Sequence, residues 1–119
     1  MPIQMANEYG SIHVGDEVIA VIAGSAALEC YGLVGMASRK QLKDGIAELL
    51  GRENLSRGVE IRREPDGVHI DLYIIVSYGT KISEVAHIVQ NRVKYVLQEI
   101  VGLQVAHINI LVQGVRVTR

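Results

Sequence analysis

Four side chains in this sequence are of types that can bind a metal ion or move a proton. His69 and Asp71 lie two residues apart, and His107 and Asn109 repeat that spacing further along the chain. Residues two apart in a β-strand point to the same face, so the four would share one face if their strands were neighbours. Imidazole and carboxylate groups on one face suit zinc ligation or proton transfer.

The rest of this face favours partner binding over metal binding. Polar residues are the ordinary covering of a solvated sheet face, and apolar residues share the same side. We therefore predict a mixed polar and apolar docking surface with no metal site. Its candidate residues are His69, Asp71, Tyr73, Ile75, Ser77, Val105, His107, Asn109 and Leu111.

No other constellation in the sequence indicates catalysis. The serines match no nucleophile-elbow pattern, and no glycine-rich phosphate loop is present. Cys30 falls in a strongly apolar segment, which predicts a buried structural thiol. We predict a protein without catalytic residues and without a cofactor.

The segment Gly32-Leu33-Val34-Gly35 supports an alternative function, RNA binding. A Gly-x-x-Gly loop between helices, followed by two strands and a helix, is the order of a KH module. Arg39 and Lys40 would extend this candidate nucleic-acid loop. Leu33 and Val34 carry no charge for the phosphate backbone, however, so we expect no nucleic-acid partner.

Composition limits the remaining classes of function. The 119 residues include 12 basic and 13 acidic ones, giving a net charge of -1, which provides no overall field for nucleic acid or anionic lipid. A single cysteine excludes an internal disulfide and favours a reducing cytosol. The apolar run from Val18 to Met36 is interrupted by Glu29 and several glycines, so we predict no membrane span, and no signal peptide is recognisable.

A central strand organises the predicted fold. Every second residue from Val68 to Tyr78 is apolar, which is the period of a half-buried strand. Val59 to Arg63 alternates in the same way, and Glu64-Pro65-Asp66-Gly67 is a turn signal that joins the two strands in a hairpin. Tyr9 to Val14 predicts a further, N-terminal edge strand.

Two helices and a last strand complete the prediction. The first helix, from about Asp16 to Tyr31, is apolar nearly all round, which predicts a helix wedged between the sheet and its neighbours and not an exposed self-association face. Gly32 to Ala37 is expected to turn the chain, and Ile46 to Leu50 to form a small helix. Ser83 is expected to cap a second long helix that ends at Gly102.

The strand that follows Gly102 should lie parallel to the central strand, because a helix connects the two. The predicted fold class is α+β: two main helices pack on one face of a small mixed sheet, with the core order α-β-β-α-β and the N-terminal edge strand. We predict a single domain over residues 1–119 with a core at about 9–117.

Three segments resemble the alkaline-shock-protein family of Gram-positive bacteria, also called the general-stress or envelope-stress-response family. They are residues 27–36 (ALECYGLVGM), 71–79 (DLYIIVSYG) and 93–115, which ends in NILVQGV. The resemblance covers about Tyr9 to Val117. Ser83 stands where relatives commonly have a proline, and the long polar tails of some members are missing.

The resemblance implies a non-enzymatic cytoplasmic protein of cell-envelope homeostasis and stress tolerance. It further implies self-assembly into a homo-oligomer and a membrane-anchored partner that carries a related domain and holds the protein near the membrane. The family offers no catalytic residues to transfer.

Overall fold

The computed structural model describes residues 3–39 and 49–117, and these residues form six strands and two long helices. The elements are β1 (Ile3–Asn7), β2 (Gly10–Val14), α1 (Asp16–Leu28), β3 (Leu33–Met36), a 3-10 segment (Arg52–Gly58), β4 (Val59–Glu64), β5 (Gly67–Ser77), α2 (Ile82–Val96) with a wider final turn (Leu97–Val101), and β6 (Val105–Arg116). The predicted α+β class is confirmed.

β5 is the centre of the main sheet, as its alternating sequence predicted. On one side β6 runs parallel to it from Val68 to Ser77. On the other side β4 pairs antiparallel with residues 67–72, and β3 pairs antiparallel with residues 74–76. β3 and β4 therefore follow one another along the same edge of β5, and the sheet is three strands wide.

Both helices cover one face of this sheet and form the core with it. On that face β5 contributes residues without solvent exposure, namely Ile70, Leu72, Ile74 and Val76. They meet the inward sides of the helices, including Ile19, Ala23, Val89 and Val93. Full burial of each large aliphatic side chain stabilises the fold by about 1.5–3 kcal/mol, so this face is a major source of hydrophobic stabilisation.

α1 is only partly enclosed, which differs from the prediction. The small residues along one side are buried, and Gly24 packs so closely that an added Cβ would lie 3.2 Å from the Cβ of Leu55. The opposite side exposes Val18, Val21 and Ser25. The small side chains on the buried side of α1 thus allow the 3-10 segment to pack closely against it. An apolar stripe on the opposite side of the helix remains exposed to solvent. The helix also ends at Leu28, earlier than predicted.

The N-terminal strand prediction was incomplete. β2 pairs antiparallel with β1 in a separate two-stranded sheet, and neither strand joins the main sheet. Val14 at the end of β2 packs against the core, but most of this hairpin is exposed. The main-sheet edge expected for Tyr9 to Val14 is taken by β4 and β3 instead.

The segment expected to turn the chain after α1 is β3. Leu33 pairs with Val76, and Met36 pairs with Ile74. The small helix predicted for Ile46 to Leu50 lies mostly outside the described residues. Its last residues are not helical, because Leu49 forms an isolated antiparallel bridge with Ala37.

α2 begins two residues earlier than predicted, at Ile82. Lys81 precedes its first turn and makes no side-chain capping hydrogen bond, so Ser83 is not the cap. The end is as predicted, because Gly102 adopts a left-handed conformation with φ 79° and its N–H donates to the Leu97 carbonyl.

Candidate partner-binding face

The sheet face turned away from the helices brings the two predicted polar pairs together. His69 lies opposite His107 in the register of β5 and β6, and Asp71 lies opposite Asn109. This alignment depends on a bulge, since Val68 pairs with Val105 and the next pair skips a residue of β6. Without that extra residue, His107 would point into the core.

Asp71 is the buried charge of this face, with only 7% of its surface exposed. Arg62 of β4 donates to both of its carboxylate oxygens, from Nε at 2.9 Å and from Nη2 at 3.1 Å. Asn109 Nδ2 donates a third hydrogen bond at 2.8 Å. Burial alone would raise the pKa of Asp71, but these hydrogen bonds and the charge of Arg62 outweigh it and hold the pKa below its usual value.

Two histidines and a carboxylate meet at the hairpin end of the same face. His69 Nε2 is 2.7 Å from Asp66 Oδ1, and His107 Nε2 is 3.5 Å from Asp66 Oδ2. The imidazole centroids are 4.7 Å apart, with the rings inclined by 52°. The hydrogen bond from His69 is the main reason that the pKa of Asp66 lies below its usual value.

Asp66 and Arg62 are absent from the sequence-predicted face. A two-residue connection in the predicted turn sets Glu64 opposite Gly67, which places Arg62 beside His69. The length of the predicted turn was therefore enough to place Arg62 on the same face as His69. Asp66 lies in the turn itself, three residues before His69. The alternation used to choose the face considers only strand residues, so it did not include Asp66.

The far half of the face is less polar. Ile75 is nearly fully buried, while Tyr73, Ser77 and Leu111 are half-buried. A shallow pocket of about 440 Å³ lies beside Tyr73 and is also lined by Ser38, Arg39, Arg57 and Glu60. Burial, with the nearby charges of Glu60 and Asp71, raises the pKa of the Tyr73 hydroxyl.

Val105 does not belong to this face. It pairs with Val68, precedes the bulge, and packs against the core cluster on the helix side. Strict alternation along β6 assigned it to the outer face, but the bulge reverses the alternation between Val105 and His107.

The alternative nucleic-acid loop is not a loop. Leu33 and Val34 lie in β3 and are half-buried, and Gly35 is buried, so no Gly-x-x-Gly turn is available to a nucleic-acid backbone. Arg39 follows the strand and its Nε donates to the Arg57 carbonyl. Lys40 lies outside the described residues. The KH interpretation was therefore wrong for this segment.

The uncovered stripe of α1 borders an apolar groove on the other side of the molecule. Val21, Ile22 and Ala26 of α1 face Val96 and Ile100, and the groove has a volume of about 270 Å³. Glu29 and Arg92 lie at its rim, where Arg92 Nη2 is 2.9 Å from Glu29 Oε1. Apolar surface rimmed by charge is typical of protein-binding sites.

Cys30 is buried, as predicted, and burial raises the pKa of its thiol. A thiol held in its protonated form is a poor nucleophile. Within residues 3–39 and 49–117, no helix combines the length and the apolar composition needed to cross a bilayer.

Comparison with known proteins identifies relatives along nearly the whole chain. The uncharacterized protein YloU of Bacillus subtilis (strain 168) is 59% identical over 118 residues, which cover 99% of this chain and 98% of that protein. The uncharacterized protein Spy1614 of Streptococcus pyogenes serotype M6 is 39% identical over 117 residues, with 98% and 97% covered. The uncharacterized protein YqhY of Bacillus subtilis is 36% identical over 107 residues, with 90% and 78% covered.

No solved structure matches the chain significantly. The family model of the alkaline shock protein 23 family, described as having cell envelope-related function, matches residues 4–117. The resemblance seen in the sequence is thereby confirmed: the chain belongs to the alkaline shock protein 23 family, whose function is related to the cell envelope.

Proposed function

We propose that this protein is a non-enzymatic scaffold or adaptor of the cell-envelope stress response. It acts in the cytoplasm through self-association and through a membrane-anchored partner that carries a related domain. The family's envelope-related function supports the cellular setting. The observation that carries the mechanism is the apolar groove between α1 and the end of α2.

The groove is suited to a second copy of the chain. Val21 and Ile100 leave 43% and 69% of their surfaces exposed, although both side chains are apolar. Each copy also presents one acid, Glu29, and one base, Arg92, at the rim. A two-fold axis through the groove would let the acid of each copy pair with the base of the other, because isologous interfaces are self-complementary.

The outer sheet face is the second candidate surface, and its location suggests a different role. Asp71 and Ile75 are already buried within the chain, so less of this face is available for contact than the sequence predicted. His107 and Asn109 remain exposed beside half-buried Leu111. We assign self-association to the groove and leave the outer face for the partner.

Sedimentation velocity over a wide concentration range tests the groove. Val21→Asp and Ile100→Asp place a carboxylate in the apolar surface, and each should shift the protein toward monomer. Ile82→Asp is the matched control, because Ile82 has the same 43% exposure as Val21 but lies outside the groove lining, at the start of α2. A wild-type protein that stays monomeric at high concentration would refute self-association.

Crosslinking in Gram-positive cells followed by mass spectrometry tests the adaptor role. We expect crosslinks to a membrane protein that map to the outer face, in addition to crosslinks between copies. Recovery of crosslinks between copies alone would remove the partner from the proposal and leave the self-association intact.

A further inference from the structure

We propose that Asp66, His69 and His107 form a binding site for a divalent transition-metal ion of the zinc class. The inference is independent of the proposed scaffold function. It rests on the convergence of two imidazole nitrogens on a single carboxylate at the hairpin end of the outer face.

The spacing of the donor atoms fits a small metal ion. One ligand atom from each residue can be chosen so that all lie within 4.8 Å of one another. Zinc binds nitrogen and oxygen at about 2.0–2.1 Å, so ligand atoms of a tetrahedral site lie roughly 3.3 Å apart. His69 Nε2 lies 2.7 Å from Asp66 Oδ1 and His107 Nε2 lies 3.5 Å from Asp66 Oδ2, so the two histidines approach different oxygens of the carboxylate at separations on either side of that value. Small side-chain rotations would complete the coordination.

The backbone holds these three residues in place. His69 and His107 lie on directly paired strands, and the β6 bulge turns His107 to the same face as His69. Asp66 lies in the two-residue turn between β4 and β5, three positions before His69. β-bulges often redirect a side chain toward a functional site, and sites built on paired strands are more rigid than sites on long loops.

The neighbouring polar residues explain why the site takes Asp66 and not Asp71. The Asp71 carboxylate already accepts hydrogen bonds from Arg62 and Asn109, so it has little capacity left for a metal. Asp66 is more than half exposed, and its carboxylate contacts the side chains of His69 and His107 as well as its own backbone N–H. The original grouping of His69, Asp71, His107 and Asn109 thus separates into an ion-pair network and a metal-ligand set.

The ligand chemistry selects the class of ion. Two imidazole nitrogens and one carboxylate oxygen suit Zn²⁺, Co²⁺ or Ni²⁺, whereas Mg²⁺ and Ca²⁺ prefer all-oxygen sites. Three protein ligands leave the remaining position to water. Both His107 and Asp66 are well exposed, so an ion can enter directly from solvent.

Isothermal titration calorimetry of the untagged protein with Zn²⁺ tests the site. We expect one ion per chain, with the affinity lowered roughly tenfold or more in His107→Asn and in Asp66→Asn, since even the loss of a residue that only hydrogen-bonds a metal ligand causes such a decrease. Both residues are exposed, so neither substitution should affect folding, which circular dichroism checks. His87→Asn is the matched control, because it removes an exposed histidine of α2 and should leave binding unchanged.

Absorption spectroscopy with Co²⁺ provides a second measurement. A tetrahedral or five-coordinate cobalt spectrum in the wild type that is lost in His107→Asn would support the site. The proposal is overturned if Zn²⁺ gives no heat beyond dilution, or if His107→Asn binds as tightly as the wild type. A stoichiometry of one ion per two chains would also overturn it, because the site is formed within one chain.

Discussion

Replacing Asp71 by alanine tests how much the outer-face network contributes to stability. The substitution removes the acceptor of three charge-assisted hydrogen bonds, of which two come from Arg62 and one from Asn109. The Arg62 side chain is 37% exposed and can be rehydrated, so its part of the loss is reduced by solvent screening. We expect the free energy of unfolding to fall by about 2 kcal/mol. For a domain of this size, that corresponds to a decrease in Tm of roughly 8 °C.

The pH dependence of this effect has a defined sign. The folded-state pKa of Asp71 lies below its unfolded value of about 3.9, so the network contributes its full stability above that value. The contribution is lost as the pH falls through the lower, folded-state pKa. The difference in unfolding free energy between wild type and Asp71→Ala should therefore be constant near neutral pH and should shrink below about pH 4.

Urea unfolding followed by circular dichroism, repeated from pH 7 to pH 3, measures both quantities. Glu64→Ala is the control, because Glu64 also accepts a hydrogen bond from Arg62 but is more exposed than Asp71. Its loss should change the unfolding free energy by less than about 0.5 kcal/mol. Equal effects of the two substitutions would refute the reasoning that burial makes the Asp71 interaction stronger.

Three further predictions concern packing and charge. Gly58→Ala should destabilise the fold by about 1–3 kcal/mol in urea unfolding, because the new Cβ would lie 2.7 Å from the Ala37 carbonyl oxygen. As a contrast, an added Cβ at Gly15 has nothing within 4 Å, so Gly15→Ser should leave the unfolding free energy unchanged or raise it by about a few tenths of a kcal/mol, because serine caps the helix. Leu72→Ala should cost about 3 kcal/mol in the same assay, since the fully buried side chain leaves a cavity between sheet and helices. Asp16→Asn should reduce the loss of stability in acid, because the hydrogen bond from its arginine partner on β4 lowers the pKa of Asp16 in the folded state; an unchanged acid transition would contradict that role.

The elements with strong local patterns were predictable from the sequence. β4, β5 and their turn followed from alternation and from the Pro65-Asp66 signal, and the parallel position of β6 followed from the intervening helix. These features depend on residues close together in the chain or on the handedness and length of one connection. The packing of both helices on one face of the sheet was also predictable, because the apolar pattern of each helix and of the central strand is local in the sequence.

The errors lie where distant residues decide the structure. β3 is only four residues long and contains a glycine, so its sequence resembles a turn until the edge of β5 beside Ile75 is available for pairing. The bulge that moves Val105 to the core side leaves no trace in the alternating pattern of β6. The exposed stripe of α1 could not be distinguished from a buried one, because its residues are as apolar as those facing the core.

The position of β5 also has a consequence for the order of folding. It is the only strand among the described residues that pairs with β3, β4 and β6, so none of these three can join the sheet before β5 is in place. β4 is joined to it by a two-residue turn, whereas β6 arrives only after α2 has crossed the sheet. Because short loops close at lower entropic cost, we expect the β4–β5 hairpin to be structured in the folding transition state. Substitutions in that hairpin should slow folding, whereas substitutions of equal cost in β3 or β6 should mainly accelerate unfolding.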